Sequence, residues 1–209
     1  MSTPAYAMTY DNLSSNVLQY LERKDAATVA QIPNFIMLAE FEIAEMMKSL
    51  GQQAVAESTM EAGNPVLPKP ARWRKTTSFN LTVGGVKQPV FLRKYEYLIN
   101  YSNGTAGTPL YYGDYDYDNW LVSPTPDQNY TFEVLYYERI QPLSSENQTN
   151  WLTRNAPNAM LYGTLLQAMP FLKNDQRVIF QQKYTEAITA LSNEDKLRIA
   201  DRQAIAQDS

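Results

Sequence analysis

The hydrophobic pattern of this 209-residue chain changes near residue 52 and changes back near residue 140. Apolar residues recur every three or four positions in the first and last parts, which is typical of amphipathic helices, and alternate with polar residues in between. A helix with one apolar stripe is stable only when another element covers that stripe. The pattern therefore predicts an α+β fold, in which helices from both ends form one bundle and an antiparallel β-rich domain is inserted.

Four segments follow from these changes in pattern. Residues 1–51 are expected to supply the N-terminal helices of the bundle, and residues 52–140 the β-rich insertion. Residues 141–193 are expected to supply the C-terminal helices. Residues 194–209 are expected to form a C-terminal tail that either frays or docks onto another surface, because its apolar stripe has no partner within the chain. That stripe consists of Leu197, Ala200, Ala204 and Ile205.

Two helices are expected before residue 51. Asp11 is expected to cap the first, which runs to about Arg23 and carries an apolar stripe of Leu13, Val17, Leu18 and Leu21. The second is expected to carry Pro33 in its first turn and to end at Gly51, since these are the positions that favour proline and glycine. Its inward face is predicted to be Phe35, Leu38, Ala39, Ile43, Met46, Met47 and Leu50, with Ile36, Met37 and Phe41 pointing elsewhere. Glu40, Glu42 and Glu45 are interpreted as a solvated face of the same helix.

The middle and the end of the chain contain further elements. Gly84-Gly85 between alternating segments predicts a β-hairpin. Pro157 is expected at the start of a helix that ends near Leu172. The remaining predictions are strands over 79–83, 86–92, 111–122 and 130–137, and helices over 93–101 and 175–191.

The chain contains no cysteine and no histidine. It therefore has no disulfide, no Cys or His nucleophile or base, and no zinc site built on those ligands. A metal would need oxygen ligands. The formal charge of −4 and the pI near 5.0 also argue against a general nucleic-acid binder, which normally has a basic surplus.

The charges are strongly segregated along the middle of the chain. Residues 62–95 carry seven basic and no acidic side chains, and residues 96–138 carry seven acidic and no basic ones. Two interpretations stay open: the blocks neutralise each other within one β domain, or the basic block of one subunit faces the acidic block of the next in a ring. The candidate inter-subunit contacts are Arg72, Arg74, Lys75, Asp114, Asp116 and Asp118.

The three aspartates Asp114, Asp116 and Asp118 have the spacing that begins an EF-hand calcium loop. The rest of that motif is missing, because Asn119 and Thr125 stand where glycine and glutamate are needed. We interpret the segment as an alternating Asp/Tyr strand or sheet edge. No catalytic, metal-binding or cofactor-binding residue is predicted.

The first ten residues lack the basic and apolar regions of a signal peptide, and no segment has about 18 consecutive apolar residues. The chain is expected to be made in a cytoplasm and to stay in solution without contacting a membrane.

Segments in all thirds of the chain resemble, in order, one known family. They are Asn16-Val-Leu-Gln-Tyr-Leu-Glu-Arg-Lys-Asp25, Pro109-Leu-Tyr-Tyr-Gly113, Leu121-Val-Ser-Pro-Thr-Pro-Asp127, Asn150-Trp-Leu-Thr-Arg-Asn-Ala-Pro157 and Phe171-Leu-Lys-Asn-Asp175. The chain resembles, from about residue 10 to residue 195, the head-to-tail adaptor proteins of short-tailed bacteriophages, also called head-completion or connector proteins.

This resemblance implies a structural virion protein that is not an enzyme. Adaptors of this kind form a ring, commonly of twelve copies, beneath the portal protein, and present a surface to the tail nozzle and tail fibres. DNA passes through the lumen without specific binding. For the tail 194–209, the resemblance implies that its apolar stripe docks onto the portal protein or a neighbouring adaptor. The resemblance further implies assembly in the host cytoplasm and a final location at the head-tail interface of the virion.

Two alternatives remain from the residues alone. The first is an acid-dependent hydrolase or carbohydrate-binding module that uses the Tyr/Asp-rich β segment. The second is a capsid-decorating or tail-tube protein, which shares the virion location but differs in copy number.

Overall fold

Helices at both ends of the chain flank a β-rich middle, which confirms the predicted α+β fold. The computed structural model describes residues 8–46, 52–101, 104–173 and 177–205, and for 198–205 it describes the backbone alone. In chain order the elements are α1 (Tyr10–Leu21), α2 (Ala26–Met46), β1 (Gln53–Met60), β2 (Val66–Pro68), β3 (Trp73–Val83), β4 (Val86–Pro89), β5 (Phe91–Leu92), α3 (Tyr95–Tyr101), β6 (Ala106–Gly107), β7 (Tyr111–Asp114), β8 (Asn119–Ser123), β9 (Thr125–Pro126), β10 (Tyr130–Glu138), α4 (Trp151–Asn155), α5 (Pro157–Leu172) and α6 (Arg177–Ile205).

The chain divides into two compact units. Unit 1 takes the described residues up to Gln52 and from Ile140 onward, and unit 2 takes Gln53–Arg139. Helices from both ends of the sequence share the core of unit 1, where α5 packs against α1, α2 and α6. The helices approach closely at Gly163, where a Cβ atom would lie 3.1 Å from the Tyr184 ring and 3.4 Å from the Ala39 Cβ.

The first helix begins two residues earlier than predicted. Thr9, not Asp11, is the N-cap, because its hydroxyl oxygen accepts a hydrogen bond of 3.1 Å from the Asn12 N–H. Asp11 lies in the first helical turn, where its negative charge interacts favourably with the positive end of the helix dipole. The predicted apolar stripe is buried at Leu13, Val17 and Leu21.

The second helix begins at Ala26, seven residues before Pro33, so the predicted start was wrong. Asp25 caps it, because the Asp25 carboxylate accepts hydrogen bonds of 2.9 Å from both the backbone N–H and the hydroxyl of Thr28. These hydrogen bonds lower the pKa of Asp25. The buried face is also rotated from the prediction, since Ile36 is buried and Leu38 is exposed, while Met47, Leu50 and Gly51 lie outside the described residues.

Two features of the C-terminal helices were not predicted. Helix α4 precedes α5 and begins at a capping box, in which Asn150 and Thr153 each bond the other's backbone N–H. Helix α6 runs without a break from Arg177 to Ile205, whereas the sequence pattern divided it near Ser192. The segment contains no glycine or proline, so nothing in it forces the helix to end there.

Unit 2 contains two four-stranded sheets and a two-stranded one. The first sheet has the order β1-β10-β3-β4 and is antiparallel throughout, and the second has the order β2-β8-β7-β5. The predicted hairpin is confirmed, because β3 and β4 are joined at Gly84 and Gly85, which have positive φ angles of 59° and 81°. Aromatic rings fill the core: Phe79 stacks on Phe132 and Tyr112, and Trp120 meets Phe79 edge to face.

The predicted strand over 111–122 is instead a hairpin formed by β7 and β8. The Asp116 carboxylate accepts hydrogen bonds from the backbone N–H groups of Asp118, at 2.8 Å, and Asn119, at 2.7 Å. An aspartate that bonds the backbone two and three residues ahead stabilises a chain reversal. The segment of alternating Asp and Tyr residues therefore reverses direction at the tip of a hairpin and is not one continuous strand.

Candidate assembly surfaces

Three ion pairs join the basic and acidic sequence blocks within unit 2. The distances between nitrogen and oxygen are 2.7 Å for Lys69–Asp114, 3.0 Å for Arg72–Glu138 and 2.6 Å for Lys87–Glu133. Each pair takes its base from 62–95 and its acid from 96–138. Part of the segregated charge is therefore neutralised inside one chain.

These ion pairs show which of the candidate inter-subunit residues already have an ionic partner within the chain. Arg72 and Asp114 have ionic partners within unit 2, and Asp116 directs its carboxylate into its own turn. Arg74 lies on β3 and is half-buried. Lys75 and Asp118 are exposed and take no part in the three pairs.

Helix α3 and strand β7 present a cluster of tyrosine rings at the surface of unit 2. The Tyr97 and Tyr101 rings stack with centroids 5.6 Å apart, and both meet Tyr111 edge to face, at 5.2 and 4.7 Å. The Arg93 guanidinium lies 5.1 Å from the Tyr111 ring centroid and 5.8 Å from that of Tyr97. Interactions with Tyr111, mainly hydrogen bonding, raise the pKa of Tyr97.

More exposed apolar side chains belong to the same elements or their neighbours. Tyr95 meets Tyr115 with centroids 6.2 Å apart, and Phe91 and Leu92 on β5 are each more than half exposed. Contiguous exposed aromatic surface is uncommon on monomeric proteins, and tyrosine and arginine are enriched where proteins bind each other tightly. We call Phe91, Leu92, Arg93, Tyr95, Tyr97, Tyr101, Tyr111 and Tyr115 the tyrosine surface.

A second exposed apolar surface lies on helix α2 in unit 1. Met37, Leu38 and Phe41 are exposed, and their spacing puts them on one side of the helix. The opposite side is buried at Phe35, Ile36, Ala39 and Ile43. From the sequence, Leu38 was predicted to face inward, and Met37 and Phe41 were predicted to point elsewhere. Helix α2 therefore has two apolar faces, of which unit 1 covers one.

Glu40 is buried, so its predicted place on a solvated face was wrong. Its carboxylate accepts hydrogen bonds from the Leu143 N–H, at 3.1 and 3.2 Å, and from the Asn150 side-chain amide, at 2.5 Å. Burial raises the pKa of Glu40 to about 7, although both hydrogen bonds lower it. Glu40 thus fastens the segment before α4 to helix α2.

Glu42 is also engaged in the interior of unit 1. Its carboxylate accepts hydrogen bonds from the Gln167 amide, at 2.5 Å, and the Tyr184 hydroxyl, at 3.3 Å. Burial, together with the negative charge of Glu42, raises the pKa of Tyr184. Two of the three glutamates predicted to be solvated therefore connect helices.

The C-terminal candidate residues lie on helix α6. Leu197 has 68% of its surface exposed. The side chains of Ala200, Ala204 and Ile205 lie outside the described residues, although the backbone there is helical.

Within the described ranges, no three His, Cys, Asp or Glu side chains are arranged to hold a metal ion. In that same part of the chain, no helix combines the length and the apolar character that a membrane crossing requires.

Comparison with known families decides the identity. Residues 8–206 match the family described as SU10 adaptor protein. The chain belongs to the SU10 adaptor family. The match spans nearly the whole sequence and confirms the resemblance seen in the sequence. No curated protein matches the chain.

Membership in this family makes the chain a phage adaptor protein, a structural component of the virion that interacts with other virion proteins. The exposed surfaces of this adaptor are therefore candidate contacts with such proteins.

The burial of Glu40 was not predicted from the sequence. Thirteen of the 25 aromatic residues lie between Phe91 and Tyr137 and are mixed with acidic residues, which predicts a packed β core together with a tyrosine-rich protein interface. That density does not show which of the rings are exposed. The four-residue spacing of Tyr97 and Tyr101 was a usable signal, because it puts both rings on one face of a helix.

Proposed function

We propose that this adaptor forms a ring of twelve copies between the portal protein and the tail nozzle, and that the ring completes the DNA channel. The observation that carries the proposal is that each unit exposes its own apolar surface. On unit 1 it is the Met37/Leu38/Phe41 side of α2, and on unit 2 it is the tyrosine surface. Two surfaces on one chain allow contact with two different neighbours, as a connecting protein requires.

Each surface has its own role in this proposal. The outward face of α2 contacts the neighbouring copy in the ring, because burying such a face removes apolar area from water at every one of the repeated contacts. The tyrosine surface receives nozzle or fibre proteins, because aromatic and arginine side chains supply most of the binding energy at such interfaces. The stripe that begins at Leu197 on α6 docks onto the portal or a neighbouring adaptor.

The charge of the chain fits a channel through which DNA slides. A chain with a formal charge of −4 does not supply the surplus of lysine and arginine that grips a phosphate backbone. The ring is thus a passive conduit during packaging and ejection, with no cofactor and no catalytic residue. Assembly takes place in the host cytoplasm, before the tail is attached.

Portal binding is the first test. We expect the full chain, mixed with isolated portal rings, to give a complex of defined adaptor number by native mass spectrometry, and deletion of 194–209 to abolish that complex. The point variant Leu197→Asp should weaken portal binding at least tenfold. Thr189→Asp is the matched control, since Thr189 is an exposed neutral residue two turns earlier on α6. A chain that stays monomeric with portal, or a Leu197→Asp variant that binds like the control, would overturn the proposal.

Charge reversal tests a second proposed contact between neighbouring copies, in which Lys75 of one copy faces Asp118 of the next. Lys75→Glu and Asp118→Lys should each weaken ring association about fivefold at low salt, since exposed ion pairs contribute at most about 1 kcal/mol. The double variant should regain most of the loss, because it restores opposite charges across the interface. Lys24→Glu, an exposed change of equal size in unit 1, should leave association unchanged. If the double variant associates no better than the single ones, Lys75 and Asp118 do not face each other.

A further inference from the structure

The ammonium group of Lys69 is enclosed by the loop that joins β7 to β8. Its Nζ atom lies 2.7 Å from Asp114 Oδ1, 2.8 Å from the Asp116 carbonyl oxygen and 3.2 Å from the Tyr117 carbonyl oxygen. The Lys69 side chain is only 3% exposed. The Trp73 ring closes another side, with its centroid 4.2 Å from Nζ. Few lysines are buried to this degree, so the enclosure requires an explanation.

The oxygens around Lys69 match an ammonium ion in number and in charge. An ammonium group has three N–H donors, and the loop offers three acceptors, one each from Asp114, Asp116 and Tyr117. One carboxylate balances one positive charge. Carboxylate and backbone carbonyl oxygens are also the ligands by which loops hold metal cations. A calcium ion, however, takes six to eight oxygens, and this loop directs three toward Lys69.

The carbonyl oxygens are held in place by bonds that do not involve the ammonium group. The Asp116 carboxylate faces away and closes the turn through the N–H groups of Asp118 and Asn119. The Asn119 side-chain amide donates to both oxygens of that carboxylate at 2.9 Å. The backbone N–H of Lys69 also donates to the Asp118 carbonyl oxygen at 2.7 Å. The loop is therefore organised around its central cation, and part of that organisation is independent of the Lys69 side chain.

We propose that the 114–118 loop is a cation site whose resident cation is the Lys69 ammonium group. The site is specific for a primary ammonium ion, which can donate to all three oxygens while lying against the Trp73 ring. Lys69 thereby replaces a bound ion and fixes the hairpin tip that carries Tyr115 and Tyr117. Tyr117 is 73% exposed, so the lysine holds an aromatic side chain in the solvent at a defined position. The inference does not depend on ring formation or on a portal.

Removal of the lysine side chain should create a binding site for an external amine. Lys69→Ala removes the three outer methylenes and the ammonium group, and n-propylammonium has the same atoms as the removed part. We expect Lys69→Ala to unfold at a lower temperature than the parent chain. n-Propylammonium chloride should raise the unfolding temperature of this variant by about 2–4 °C at roughly five times its Kd. Sodium chloride at equal ionic strength should not.

Lys69→Met provides the matched comparison. Methionine fills the space of the lysine methylenes without the charge, so this variant should be destabilised but should not respond to the amine. The parent chain and Lys75→Ala, from which an exposed lysine is removed, should not respond either. Trp73 fluorescence gives a second readout, because the amine should alter the emission of Trp73 in Lys69→Ala alone.

Two results would overturn the proposal. One is a Lys69→Ala chain that is folded but gains no stability from n-propylammonium beyond that given by sodium. The other is an equal gain in Lys69→Met, which shows a general effect of the amine. If Lys69→Ala does not fold in plain buffer, the same comparison is made during refolding. Recovery of folded chain with the amine but not with sodium supports the proposal, and equal recovery or none contradicts it.

Discussion

Replacement of Glu40 by alanine should lower the free energy of unfolding of unit 1 by about 3 kcal/mol. The change leaves the Leu143 N–H and the Asn150 amide without their acceptor in a buried place, and each unpaired buried donor costs about 1–3 kcal/mol. Part of that loss in the free energy of unfolding is offset, because burial of the carboxylate is itself unfavourable and the variant no longer has it. Urea unfolding followed by circular dichroism, which reports mainly the helices of unit 1, measures the effect.

Glu40 should also make the stability of the chain depend on pH. Its pKa is about 7 in the folded protein against an ordinary value of 4.5 for a glutamate in solution, so the folded state holds the proton more tightly than the unfolded state. The contribution of this raised pKa to folding stability is complete below about pH 4.5 and is lost as the pH rises to about 7 and above. The difference between the two pKa values corresponds to about 3 kcal/mol.

Glu40→Gln separates the charge from the hydrogen bonds. Glutamine keeps a carbonyl oxygen for the donors of Leu143 and Asn150 but does not ionise, so this variant should lose the decline between pH 5 and pH 7. The parent chain should therefore lose stability relative to Glu40→Gln across that interval. Glu45→Gln, at an exposed position on the same helix, is the control and should follow the parent chain. A constant difference between parent and Glu40→Gln from pH 5 to pH 8 would show that Glu40 does not titrate there.

Substitution of Gly113 by alanine should destabilise unit 2 by about 3 kcal/mol or more. A Cβ atom at this position would overlap the Arg93 carbonyl oxygen and would lie 2.9 Å from Leu98 Cδ1. The first contact is with backbone, which cannot move aside as a flexible side chain does, and overpacking of a tight site commonly costs 1–3 kcal/mol. The clash separates strand β7 from the segment before α3, and therefore Tyr111 from Arg93.

Gly107→Ala is the control for this prediction. A Cβ atom at Gly107 meets only Pro124 atoms, at 3.8 Å, which is an ordinary contact. Urea unfolding followed by tryptophan fluorescence measures both variants, because Trp73 and Trp120 both lie in unit 2. Equal unfolding midpoints for Gly113→Ala and Gly107→Ala would mean that the close approach at Gly113 is absent in solution.

The helical ends and the β-rich middle were accessible from sequence because they depend on local periodicity. The stripe of Leu13, Val17 and Leu21 and the turn at Gly84-Gly85 each follow from a few neighbouring residues. The start of α2 was missed because Pro33 is a stronger local signal than the cap at Asp25. Helix α6 was divided because its last part has few apolar residues, although no residue in it breaks a helix.

The candidate sites depended on contacts between distant residues, so the sequence could not predict them. Glu40 is buried because Leu143 and Asn150, more than 100 positions away, donate to it. Nothing near Lys69 in the sequence shows that its ammonium group meets the 114–118 loop. The charge blocks indicated an interaction between the two segments, but which bases pair with which acids depends on the registers of the sheets.

The ends of unit 2 have a consequence for how such proteins change between phages. Gln53 at its start is paired directly with Tyr137 near its end, because β1 and β10 are adjacent antiparallel strands. The chain therefore enters and leaves unit 2 at neighbouring points, about 5 Å apart. A gene segment that encodes a different domain with adjacent ends can replace 53–139 without lengthening the path of the chain through unit 1. Recombination can thus exchange the tyrosine surface as one block while the helices of unit 1 are inherited unchanged.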